Sequence, residues 1–239
     1  MHAFTALVVL HVMAGAVGLI SFWIPIATHK GGPSHRRWGR IGARALMIAG
    51  ALAVAMALLS LYGPEKRLPM IRDRALFNGL FGWMMLYLGL LTISFADYGL
   101  STARLRQQRL RLRAARHQLL FVAVAAAAIK CAVYGGSIGQ PLMVLVAAIG
   151  LIAIATQLTH IWRRSVDHRA YVAEHFRALI GMGISAYTAF LSVGLIRLVP
   201  DHVFNPVIWA IPSIVGVSLI ARYTLVANGG SFISRRARQ

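Results

Sequence analysis

The sequence predicts an all-α protein, a polytopic membrane bundle of about seven transmembrane helices with the N-terminus out and the C-terminus in. Three observations predict it. Of 239 residues, 58% are hydrophobic and only 13% charged, about half the charge fraction of a soluble domain. The apolar residues gather into runs that suit a hydrocarbon core roughly 30 Å thick. The bases fall between those runs and alternate with the crossings. The first, third and fifth connections and the C-terminal tail are basic, and the other connections are acid-offset, uncharged or short. Arginine and lysine collect on the cytoplasmic side of membrane proteins, which sets the orientation.

The spans follow in order. The first covers about residues 4–27 and contains His11. Met1-His2-Ala3 shows neither a basic leader nor an A-x-A site ahead of it, so this run reads as a retained helix. The segment THKGGPSHRRWGR then breaks the helix at Gly31, Gly32 and Pro33 and carries four bases. The second span is about 41–62. A loop with Glu65 and Asp73 leads to the third, about 75–96, with Asn78 near its start. Residues 97–118 carry six arginines interleaved with Leu105, Leu110 and Leu112, a pattern that fits either a surface amphipathic helix or a solvated loop. The fourth span, about 119–134, holds Lys130 and Cys131; one cysteine permits no internal disulfide. The uncharged turn GGSIGQP leads to the fifth, about 142–162, which ends with Gln157 and His160. The sixth, about 175–199, opens on Glu174-His175-Phe176-Arg177 and carries Tyr187 near its middle. It closes with Arg197 and Pro200, and a turn at 201–206 precedes the seventh span. That span, about 207–226, contains Pro212 and Arg222. No separate soluble domain is evident.

There are 25 Lys and Arg against 6 Asp and Glu, a net charge of +19. Bases gathered mainly in the connections suit anionic lipid head groups on the inner face, and not nucleic acid. Ionisable groups at membrane depth are costly and usually face the bundle interior. The threading sorts them into two layers. His11 lies roughly 10 Å in from the outer surface at a 1.5 Å rise per residue, with Lys130 and Asn78 also toward that side. The inner edge collects His29, His35, His117, His160, His168 and His175, six of nine histidines, together with Gln157, Glu174, Asp167 and Arg222.

Imidazoles at equal depth on different helices are what bis-histidine haem ligation needs. Histidines with a carboxylate at an aqueous edge are what a zinc or iron site needs. His175, His35, His160 and Glu174 are the candidate metal set, and His11 joins the three histidines as a candidate cofactor ligand or proton-relay group. The same residues describe interfacial histidines that cap helices or bind lipid phosphate. Lys130 invites a retinal site, but it lies in the fourth span and the third has no interior carboxylate as counter-ion. No H-E-x-x-H, P-loop, G-x-S-x-G or dinucleotide fingerprint appears. A seven-span metal-dependent hydrolase and a small transporter remain as further alternatives.

Three pieces carry a resemblance: LHVMAGAVGL in the first span, the loop HRRWGR, and EHFRALIGMGISAYTAFL. In that order and spacing they resemble a family of uncharacterised bacterial multi-span integral-membrane proteins, over nearly the whole chain. The resemblance implies a multi-span bundle in the inner membrane, with recurrent polar positions at His11, His35, Arg37, Gly39 and His175. Members are similar in outline to small di-histidine membrane cytochromes. This chain departs from two-haem bundles in that no span carries two suitably spaced histidines. Two functions follow as expectations: a haem b or transition-metal redox protein using His175 with His35 or His160, or a non-catalytic accessory subunit of a larger membrane complex.

Overall fold

The computed structural model describes residues 2–63, 73–194 and 205–236. Within them are seven long helices: α1 (His2–Ala27), α2 (Pro33–Tyr62), α3 (Arg74–Leu105), α4 (Ala115–Ser137), α5 (Pro141–Trp162), α6 (Ala170–Ala189) and α7 (Pro206–Arg236). There is no strand among the described residues. Phe4–Ala27, α2, α3, α4, α5 and Val207–Ala227 are each long and apolar enough to cross a membrane. The chain is therefore an all-α, multi-pass membrane protein. α6 adds 20 residues, about 30 Å of helix at 1.5 Å per residue, and a π-helical turn carries it on through Phe190–Gly194. The remainder of the expected sixth span lies outside the described residues. So do Glu65 in the second loop, Arg197, Pro200 and most of the turn at 201–206.

Helix ends differ from the apolar runs in a consistent direction. α2 starts at Pro33, not 41; α3 continues to Leu105, not 96; α4 starts at Ala115, not 119; α6 starts at Ala170, not 175. A helix satisfies its own backbone whatever its side chains, so it runs on into the head-group layer. Apolarity marks the hydrocarbon, not the helix. The basic stretch 97–118 accordingly contains no separate surface helix. Asp97–Leu105 completes α3, Arg109–Arg113 forms a 3-10 turn, and α4 follows. Asp73, expected as a loop charge, caps α3 by accepting from the Ala75 and Leu76 amides. Gly31 and Gly139 hold positive φ in the α1–α2 and α4–α5 turns, a conformation that glycine adopts without strain.

α3 is the central helix. Two thirds of its spanning window is buried, against a third or less in the other five. It packs against α2, α4 and α6; α1 lies along α2, α5 along α4, and α7 along α6. Lipid tails are as apolar as leucine, so association in a membrane depends on close packing and hydrogen bonds. Small residues supply the closeness. At the α2–α3 crossing a Cβ on Gly50 would lie 2.9 Å from the Gly89 carbonyl, and one on Gly89 would lie 2.8 Å from the Gly50 carbonyl. At the α3–α6 crossing, a Cβ on Gly99 would meet Leu179 at 2.8 Å and Ala178 at 3.2 Å. Deep in the same interface, Thr92 and Ser185 hydroxyls share a 2.7 Å hydrogen bond.

The Gly89→Ala variant has to separate two backbones, and overpacking of this kind costs about 1–3 kcal/mol. Its thermal midpoint in detergent should fall, while Gly15→Ala, where nothing lies within 4 Å of the added carbon, should leave the midpoint unchanged. Equal midpoints for the two variants would contradict the close crossing.

Candidate histidine site at the basic end of the bundle

The ends that carry the bases and histidines meet at one end of the molecule. Two arginines of the α3–α4 connection reach the end of α5. Arg109 donates to the carbonyls of His160, Arg163 and Arg164; Arg113 donates to Ile161 and lies over the Trp162 ring at 4.4 Å. Arg109 thus serves carbonyls that the end of a helix leaves without partners. Lys30 does the same for α1, donating to Pro25 and Ile26, while the Tyr223 hydroxyl of α7 donates to Ile26 at 3.3 Å.

Two of the predicted histidines come together here. His35, in the first turn of α2, and His175, in the second turn of α6, have ring centres 6.4 Å apart in an edge-on arrangement. Each ring is anchored the same way. His35 Nδ1 lies 3.0 Å from the Pro25 carbonyl of α1, and His175 Nδ1 lies 2.9 Å from the Gly99 carbonyl of α3. A carbonyl only accepts, so Nδ1 carries the hydrogen and the Nε2 of a neutral ring keeps its lone pair. Metal-ligating histidines are commonly oriented by such a bond from the nitrogen that does not bind. His175 reaches Gly99 because that residue has no side chain to hold α6 away.

The other members of the candidate set stand apart. Glu174, buried, accepts from the Tyr98 hydroxyl at 2.9 Å and pairs with Arg177 at 3.4 Å. Its carboxylate belongs to the α3–α6 interface. His160 is buried in the last turn of α5, beside the α3–α4 connection. Gln157, one turn before it, is buried with its Oε1 unpartnered. Among the described residues no group of three or more His, Cys, Asp or Glu is placed to hold a metal ion. His11 repeats the anchoring pattern elsewhere: its Nδ1 lies 2.9 Å from the Ala49 carbonyl of α2. Ala49 is fourteen residues along α2 from His35, about 21 Å at 1.5 Å per residue.

The remaining polar candidates lie away from the histidine pair. Tyr187 accepts from Trp23 Nε1 at 2.6 Å and donates to the Leu19 carbonyl at 3.0 Å, joining α6 to α1. Lys130 is exposed, with Nζ 5.0 Å from the centre of the Trp83 ring. Asn78 opens the π-helical turn of α3, Asn78–Met84. Arg222 is exposed on α7. Cys131 is a free, fully buried thiol in the core.

Sequence reasoning missed a second side-chain pair. Asp97 of α3 and His117 of α4 meet at 2.7 Å, with Arg116 at 3.8 Å from the same carboxylate. Arg116 also donates to Ser101. The signal was present: a lone carboxylate beside six arginines at the edge of a span demands a partner. It was hidden by ending the third span at residue 96.

Comparison of the chain with protein-family models, with curated proteins and with solved structures gives no match. Fold and site therefore define a class by themselves: a helical multi-pass membrane protein with a paired-imidazole site at its basic end.

Replacing Arg109 with methionine leaves three carbonyls without their shared donor. Hydrogen bonds to a charged group contribute about 1.5–3 kcal/mol each at most, and less where water can substitute. A drop of roughly 2 kcal/mol in stability is expected, read as a lower unfolding midpoint in detergent. An unchanged midpoint would show that the α3–α4 connection does not hold α5.

Proposed function

We propose that the protein is a redox protein of the bacterial cytoplasmic membrane that holds haem b, or another transition-metal ion, between His35 and His175 near the cytoplasmic face. The observation that carries this reading is the shared state of the two rings. Both have Nδ1 committed to a backbone carbonyl, which leaves both Nε2 lone pairs for a ligand. The spacing supports it as well. The ring centres of His35 and His175 are 6.4 Å apart, near enough that both residues would hold one group between them.

The donor count favours haem over zinc. A zinc hydrolase needs three protein ligands around an open position, and neither His160 nor Glu174 joins the pair. Haem needs fewer protein ligands than such a zinc site; His35 and His175 would hold it, and it would supply one-electron chemistry when bound. The described histidines tied through Nδ1 to a backbone carbonyl, His11, His35 and His175, are also those in the three pieces that carry the family resemblance. His11, about 21 Å away along α2, would serve as a second ligand position or as a proton-relay group toward the outer side. The basic connections give the orientation, with α1 entering from outside.

The test is purification in mild detergent from cells supplied with haem precursor, followed by absorption spectroscopy and elemental analysis. The wild-type protein should show a Soret band or a stoichiometric transition metal. His35→Ala and His175→Ala should each lose it, and His160→Ala should keep it. No Soret band and no iron, zinc or copper in the wild type would remove the reading. A stoichiometric partner recovered from native membranes would then favour an accessory subunit.

A further inference from the structure

Beyond the histidine pair, the basic end contains a cavity of about 270 Å³ between the α3–α4 and α5–α6 connections. Arg106, Gln107 and Arg109 line one side; His160, His168 and Tyr171 line the other. We infer that this cavity is a binding site for the phosphate of an anionic phospholipid.

Four observations carry the inference. The first is charge. Two arginines line the cavity, and Arg104, Arg111, Arg163, Arg164 and Arg169 are on the same two connections or at their edges. The single acid in the lining, Asp167, turns Oδ1 to the Arg169 amide at 2.7 Å. The second is construction. Arg106 has φ +51, a left-handed conformation that non-glycine residues seldom adopt and that costs energy to hold. Its amide still closes on the Thr102 carbonyl at 2.9 Å, so α3 stops there and the chain turns toward the cavity. The third is donor supply. The Gln107 amide bonds to His168 Nε2 across the gap between the two connections. With that amide donating, the ring's hydrogen sits on Nδ1 as a further donor. The Tyr171 hydroxyl, one residue into α6, adds a donor and acceptor.

The fourth is depth, which selects a lipid over a free anion. Trp162 ends α5 and is 55% exposed. Exposed tryptophan at the end of a span marks the head-group layer. The cavity begins beside His160, two residues earlier, so it opens at the level where lipid phosphates lie. Basic pockets between transmembrane helices on the cytoplasmic side are a recognised setting for anionic head groups. Arg109 is committed to three carbonyls, so Arg106 is the cation placed to pair with the phosphate.

The experiment uses the full chain in nanodiscs of phosphatidylcholine alone, or of phosphatidylcholine with phosphatidylglycerol. Native mass spectrometry counts retained lipid, and thermal unfolding gives the midpoint. The expected result is one phosphatidylglycerol retained per chain and a higher midpoint in the mixed discs. Arg106→Gln should weaken retention roughly fivefold, as for loss of one basic contact near an anionic surface. It should keep the wild-type midpoint in pure phosphatidylcholine, which checks that it folds. Arg111→Gln, an exposed arginine of the same connection outside the cavity, should retain lipid as wild type does. If Arg106→Gln does not fold, Tyr171→Phe takes its place with the same expected direction. Equal losses from both arginine variants, or no retained phosphatidylglycerol, would overturn the site in favour of diffuse surface attraction. Inorganic phosphate raising the midpoint in pure phosphatidylcholine as much as the lipid does would replace the lipid with a free anion.

Discussion

The interaction on which the rest depends is a hydrogen bond from an imidazole to a backbone carbonyl on a neighbouring helix. Among the described residues it occurs three times, from His11 to Ala49, from His35 to Pro25 and from His175 to Gly99. In hydrocarbon, each such bond satisfies a polar nitrogen that would otherwise be costly. It also sets the tautomer and restricts ring rotation. A histidine held this way is more than a filled space, because the nitrogen it leaves free has a defined direction. The bond from His175 exists only because α3 and α6 approach closely at Gly99. Helix packing and site chemistry are thus one constraint, and the glycine matters to both.

The basic end is held together by arginines doing an unusual share of backbone work. Arg109 and Arg113 tie the α3–α4 connection to the end of α5. Glu174, expected beside the histidine pair, is instead used locally by Tyr98 and Arg177, as Asp97 is by His117 and Arg116. The result is an end rich in positive charge whose few acids are already paired. That makes it suited to an anionic surface and leaves the His35–His175 pair without a neighbouring carboxylate ligand among those it was expected to recruit.

How much of this the sequence disclosed depends on which physical signal carried it. The all-α class and the order of the helices were legible, because hydrocarbon demands long apolar runs and those runs are unambiguous. Helix ends were less legible. The runs 41–62 and 75–96 stop where charge begins, but α2 and α3 continue past that point with arginines on their surfaces. That error concealed Asp97 as a helical residue and with it the bond to His117. That His35 and His175 share one end of the bundle was legible from counting residues along the spans. Histidine rotation was not: nothing in the spacing says that His35 and His175 face one another while His160 turns to the α3–α4 connection. Facing depends on how helices cross, and crossing depends on contacts such as Gly50 against Gly89 that lie far apart in the chain.

The central claim is that His35 and His175 present Nε2 as a free nitrogen because Nδ1 is bound to a carbonyl. Nitrogen-15 NMR of the histidine-labelled protein in lipid, with single-site variants for assignment, reads that directly. At a pH where the rings are neutral, both should appear as the Nδ1–H tautomer, with Nε2 at the shift of a nitrogen that carries no hydrogen. Either ring found as the Nε2–H tautomer would contradict the anchoring bonds, and with them the paired site.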